Sequence, residues 1–61
     1  MATYMVMERG PHWIVSTDGR EVTRYRKDEI AWNGATDIAE MKREIRQGLN
    51  LGRSDHVVVE D

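Results

Sequence analysis

His12 and His56 are the two imidazoles of a chain that has no cysteine, and this narrows its metal and nucleophile chemistry at once. A structural zinc would need both histidines and two carboxylates such as Asp55 and Glu60, and none of these stands at ligand spacing, so each histidine reads as a surface or strand-edge residue. Ser16 and Ser54 supply hydroxyls, but no Gly-x-Ser-x-Gly elbow presents either as a nucleophile. Asp37, Glu40 and Glu44 are interleaved with Lys42, Arg43 and Arg46, the pattern of capping and solvated ion pairs along a helix, not of an acid and base couple. There is no Walker loop and no Gly-x-Gly-x-x-Gly, so a nucleotide cofactor finds no support. The expectation is a non-enzymatic protein with no catalytic, cofactor-binding or metal-binding residues.

Recognition remains, and two surfaces compete for it. Arg24-Tyr25-Arg26-Lys27, with Arg20 just before, places cations around an aromatic ring, which suits phosphate contacts with a base stacked on Tyr25. Residues 1–27 hold five Lys and Arg against three Asp and Glu, whereas residues 28–61 hold four against eight. Against nucleic acid stand the net charge of -2, the pI near 5.6 and Glu21 beside the cluster. Trp13, Trp32, Tyr4, Tyr25 and several Met and Arg residues are the types enriched at the centres of protein interfaces. The primary expectation is a protein-binding module, a modulator or inhibitor of a larger protein, using His12, Ile14, Tyr25 and Trp32. The alternative is a nucleic-acid binder using Arg20, Arg24, Tyr25, Arg26 and Lys27.

The elements that position these residues follow from punctuation and periodicity. Ala2 to Glu8 and His12 to Thr17 read as strands separated by Arg9-Gly10-Pro11. Asp18-Gly19 is the strongest local signal, since a two-residue type I′ loop needs positive φ at both centres. A regular hairpin about that loop sets Thr17 opposite Arg20, Val15 opposite Val22, Ile14 opposite Thr23, Trp13 opposite Arg24 and His12 opposite Tyr25. One face would then carry Trp13, Val15 and Val22, and the other His12, Ile14, Thr23 and Tyr25. Ile30 to Trp32 is expected as a short ordered piece within a loop.

Ile38, Met41, Ile45 and Leu49 recur at helical intervals, with Thr36 or Asp37 as cap and Asp37 with Glu40 at capping-box spacing. Gly52 is expected to take the left-handed stop position, or Gly48 to end the helix a turn sooner. His56-Val57-Val58-Val59, apolar on both faces, reads as a strand inside a sheet. The order β-β-β-α-β predicts a single small α+β domain over residues 1–61, with one helix on one face of a three- to four-stranded antiparallel or mixed sheet.

A 61-residue chain buries about 60% of the surface its unfolded form exposes, and one helix covers one sheet face, so a homodimer or a partner is expected over the other. The longest apolar run is Tyr4 to Met7, far from the roughly 20 residues of a membrane span. Met1-Ala2-Thr3-Tyr4 lacks a basic stretch leading into an apolar one, and a cytoplasmic location without membrane attachment is expected. In size and composition alone the chain resembles small phage or mobile-element accessory proteins, inhibitors and antitoxin-like modulators.

Overall fold

Asp18 and Gly19 both adopt positive φ, 52° and 76°, and the hairpin they close is the first part of a four-stranded mixed sheet. The computed structural model describes residues 2–29 and 37–60, so the Ile30 to Trp32 segment and the capping residue Thr36 lie outside the described residues. The elements are β1 (Thr3–Arg9), β2 (His12–Thr17), β3 (Arg20–Arg26), a 3-10 turn (Lys27–Glu29), α1 (Ile38–Gly48) and β4 (His56–Glu60). In space the strands run β3-β2-β1-β4, antiparallel except for the parallel pair β1 and β4, and the fold is small α+β as the sequence predicts. Between β1 and β2 the positive φ falls on Gly10, at 58°, and the fixed φ on Pro11, leaving Arg9 paired with His12.

The β2–β3 register departs from the regular hairpin. Thr17 faces Arg20 and Ser16 faces Glu21, but Val15 then faces Thr23, Ile14 faces Arg24, Trp13 faces Tyr25 and His12 faces Arg26. Val22 is the extra residue of a β-bulge, and every residue after it is shifted by one. The physical reason is the identity of the side chains that the shift exchanges. A regular ladder would turn Arg24 under the helix and Tyr25 away from it. The bulge forgoes about one ladder hydrogen bond and in return keeps a guanidinium in water and a phenol ring against the core.

That core is thin. Val6, Val15, Met41 and Ile45 are fully buried, Trp13 and Val57 nearly so, and Tyr4, Tyr25, Leu49, Leu51 and Val59 pack around them. Each fully buried side chain of this kind contributes about 1.5–3 kcal/mol, so few residues carry the fold.

Both helix ends differ in detail from expectation. Asp37 is the N-cap, but its side chain makes no capping bond, so the capping box is not formed. At the other end the helix stops at Gly48, the earlier of the two expected ends, but Asn50, not Gly52, takes the left-handed position, at φ 55°. The amide of Asn50 donates to the Gln47 carbonyl and that of Leu51 to the Arg46 carbonyl, the two bonds of a Schellman motif. Asparagine tolerates this conformation, and Leu51 next to it packs against the core.

β4 is an edge strand, which corrects the expectation of an interior one. It pairs only with β1 among the described residues, Thr3 facing His56 and Met7 facing Glu60. Its two-sided valines are explained differently: Val57 and Val59 face the helix, while Val58 lies on the other face, 42% exposed.

Candidate interaction surface

The residues singled out for chemistry are not brought together. His12 pairs with Arg9 on β1, and His56 with Thr3 on the same strand, so the two histidines sit six residues apart along β1. At about 3.3 Å per residue that is roughly 20 Å, beyond any shared metal. Among the described residues no three His, Asp or Glu side chains converge on a metal-sized site. Ser16 lies in β2 and Ser54 in the turn before β4.

The basic hairpin end is largely neutralised by its own neighbours. The Arg24 guanidinium donates through Nε and Nη2 to both carboxylate oxygens of Glu21, each at 2.7 Å. This pairing holds the Glu21 carboxyl below its usual range and raises Arg24 further. Arg26 reaches Asp28 at 3.0 Å and Glu29 at 3.6 Å. Lys27 pairs with Glu8 and holds its ammonium 5.3 Å from the centroid of the Trp13 ring. Arg20, at the hairpin tip, is exposed.

Tyr25 is not on the exposed sheet face with Ile14 and His12. The bulge turns it under α1, where a Cβ added at Gly48 would lie 3.3 Å from its hydroxyl. Burial, followed by the nearby Glu44 carboxylate, raises its pKa above the ordinary tyrosine value. Of the four residues expected to meet a protein partner, His12 and Ile14 therefore share the open face, Tyr25 belongs to the covered one, and Trp32 lies outside the described residues.

The open face itself is less apolar than its letters suggest. Ile14 is 8% exposed, shielded on that face with Met7 and Arg24 as its cross-strand neighbours. On the described strands the large apolar side chains that stay exposed are Val22 on β3 and Val58 on β4, at opposite margins of the sheet. The margins, not the middle, carry the surface of interest.

They are built differently. β3 carries Arg20, Glu21, Arg24 and Arg26 and the Val22 bulge, all of which obstruct a further strand. β4 runs His-Val-Val-Val-Glu with no Lys, Pro or bulge. The His56 amide donates to the Ala2 carbonyl at 2.8 Å, so His56, Val58 and Glu60 turn their backbone groups toward β1. By the alternation of a strand, the N–H and C=O groups of Val57 and Val59 point away from the sheet.

The lead-in to β4 is held firmly. The Asp55 carboxylate accepts from the Gly52 amide at 2.9 Å and from the Ala2 amide at 2.9 Å. Those bonds, that of Gly52 first, hold its pKa below the usual carboxylate value. Arg46 on α1 donates to the carbonyls of Asp55 at 2.8 Å and Gly52 at 2.6 Å. Sequence reasoning missed this latch, because it joins residues distant in the chain; it read β4 as a strand inside a sheet while leaving open that it could lie at an edge and pair with a partner, because strand order carries no local mark. No described helix is long and apolar enough to cross a membrane. Compared with known proteins, the chain matches no family model, no curated protein and no solved structure.

Proposed function

We propose that this chain is a small non-enzymatic protein-binding module, a modulator or inhibitor of a larger protein, that engages an extended segment by strand addition along β4. The observation that supports this reading is the contrast between the sheet margins. β3 is protected by charge and a bulge, whereas β4 presents the backbone groups of Val57 and Val59 beside an exposed Val58. In such binding, main-chain hydrogen bonds supply affinity and alternate side chains supply selectivity. The nucleic-acid alternative is less well supported, since Arg24, Arg26 and Lys27 already spend their charge on carboxylates.

A displayed library of extended peptides, selected on the wild-type protein and re-tested on Val58→Lys, checks the proposal. Val58 is exposed, so the lysine leaves the core untouched while adding the charge that edge strands use to repel a neighbour. Selected peptides should lose binding to Val58→Lys at least tenfold. Peptides that bind both proteins equally, or the failure to select any, would overturn it.

A further inference from the structure

The identity of a strand that fits β4 is constrained by β4 itself. A new strand must direct its outward backbone groups at those of Val57 and Val59. For a second copy of β4 running antiparallel about a twofold axis, three registers satisfy this: Val57 opposite Val57, Val57 opposite Val59, or Val59 opposite Val59. The first and last leave strand residues unpaired and set His56 or Glu60 against the apolar Val58. The middle register overlaps the whole of His56–Glu60.

In that register the side chains match. His56 of each copy stands opposite Glu60 of the other, twice by symmetry, a pairing of donor with carboxylate on the open face. Val58 meets Val58 on the axis as a non-hydrogen-bonded pair, the closer kind, which covers an apolar side chain that is 42% exposed in the single chain. On the other face Val57 meets Val59 as a hydrogen-bonded pair, extending a core that has few fully buried side chains. The self-complementary pattern His-Val-Val-Val-Glu is what an isologous contact requires, with residue i meeting j and j meeting i.

Resting on the reading of β4 as a pairing edge, we propose that its occupant, while no target segment is bound, is a second copy of this chain: β4 joins β4 antiparallel about Val58, and the two sheets become one of eight strands, β3-β2-β1-β4 continued by its symmetry mate. Both helices then lie on the same side of the joined sheet. Arg46, bonded to the carbonyls of Gly52 and Asp55, sets a basic flank of α1 beside the lead-in to β4 in each copy. The two flanks repel, and at about 0.15 M salt, with a Debye length of about 8 Å, that repulsion is largely screened. The contact is small, so the dimer belongs to the weak, concentration-dependent class.

The absence of cysteine makes a covalent trap clean. Opposed Cα atoms in a non-hydrogen-bonded antiparallel pair are about 4.5 Å apart, within the span a disulfide bridges. Val58→Cys, oxidised with glutathione disulfide at about 0.15 M salt, should give the disulfide dimer at least tenfold faster than Val22→Cys, whose side chain is comparably exposed on β3. Equal rates would mark random collision and overturn the proposal. In the wild type, amide exchange at Val57 and Val59 should slow as protein concentration rises, and Val58→Lys should abolish that dependence; exchange independent of concentration would also overturn it. If both tests fail while library peptides still require Val58, β4 remains a pairing edge and the second copy falls. If the peptides fail as well, the edge reading falls with it.

Discussion

β3 and β4 bound one sheet from its two sides, and they solve the problem of an unpaired strand in opposite ways. β3 has two neighbouring charges locked into a bidentate pair, two further arginines and a bulge. β4 has three consecutive valines between a histidine and a glutamate. The difference teaches that the charge in this chain is not spread merely for solvation. On β3 it accumulates where an extra strand would be unwelcome, and Arg24 and Glu21 contribute little else, because exposed pairs add small amounts to stability.

The sharpest way to test the asymmetry is to truncate a valine on each margin. Val57→Ala, in a side chain 8% exposed against the core, should cost about 2 kcal/mol by lost transfer energy and cavity formation, read from the urea midpoint at unchanged slope. Val22→Ala, at the 44% exposed bulge, should stay within about 0.5 kcal/mol. Equal costs would mean that the bulge is packed as tightly as β4.

Titration separates the margins by pH. The Asp55 carboxyl is held low, so its stabilisation is present above its unfolded value of about 3.9 and is lost as pH falls through the lower folded value. Tyr25 is held high, so its contribution is complete below about 10 and is lost as pH rises through the folded value. Acid should therefore loosen the lead-in to β4 and alkali the end of β3. Thermal midpoints measured across pH should lose part of the acid limb in Asp55→Asn and part of the alkaline limb in Tyr25→Phe. Unchanged limbs would remove these groups from the account.

The smallest expected change comes from deleting Val22. With the extra residue gone, Thr23 to Arg26 can keep their partners on β2, and β3 becomes a regular strand. The fold should survive with its midpoint nearly unchanged, as judged by the same urea titration, and Tyr25 should keep its raised pKa. A Tyr25 that titrates normally would show that Val22 is more than the extra residue of the bulge and that the pairing of Thr23 to Arg26 depends on it.

Turns and periodicity were readable in the sequence because their causes are local. Asp18-Gly19 dictated a loop, the spacing of Met41 and Ile45 dictated a buried helix stripe, and the element order gave the fold class. The register beyond Ser16 was not readable, because the bulge is decided by what Arg24 and Tyr25 would meet under α1, a helix that follows later in the chain. The left-handed stop went to Asn50 although Gly52 was available, since the chain had to bring Leu51 back to the core. For the candidate surface, composition named interface-prone residues, yet residue type alone could not tell covered Tyr25 from open-faced Ile14. The valine run was found but placed inside the sheet, because burial on two faces and exposure at an edge leave the same letters.

The Asp55 latch also sets an order of events. It joins Asp55 to Ala2 across 53 positions, while both hairpins close over two residues and can form within about 1–10 μs. Closing the long loop carries the larger entropic cost, so β1 to β3 should assemble first and β4 should dock late. Val57→Ala would then accelerate unfolding and leave the folding rate nearly untouched, whereas Val15→Ala would slow folding. Until β4 arrives, the outer side of β1 stands open, and during that interval the identity of the arriving strand is a matter of kinetics.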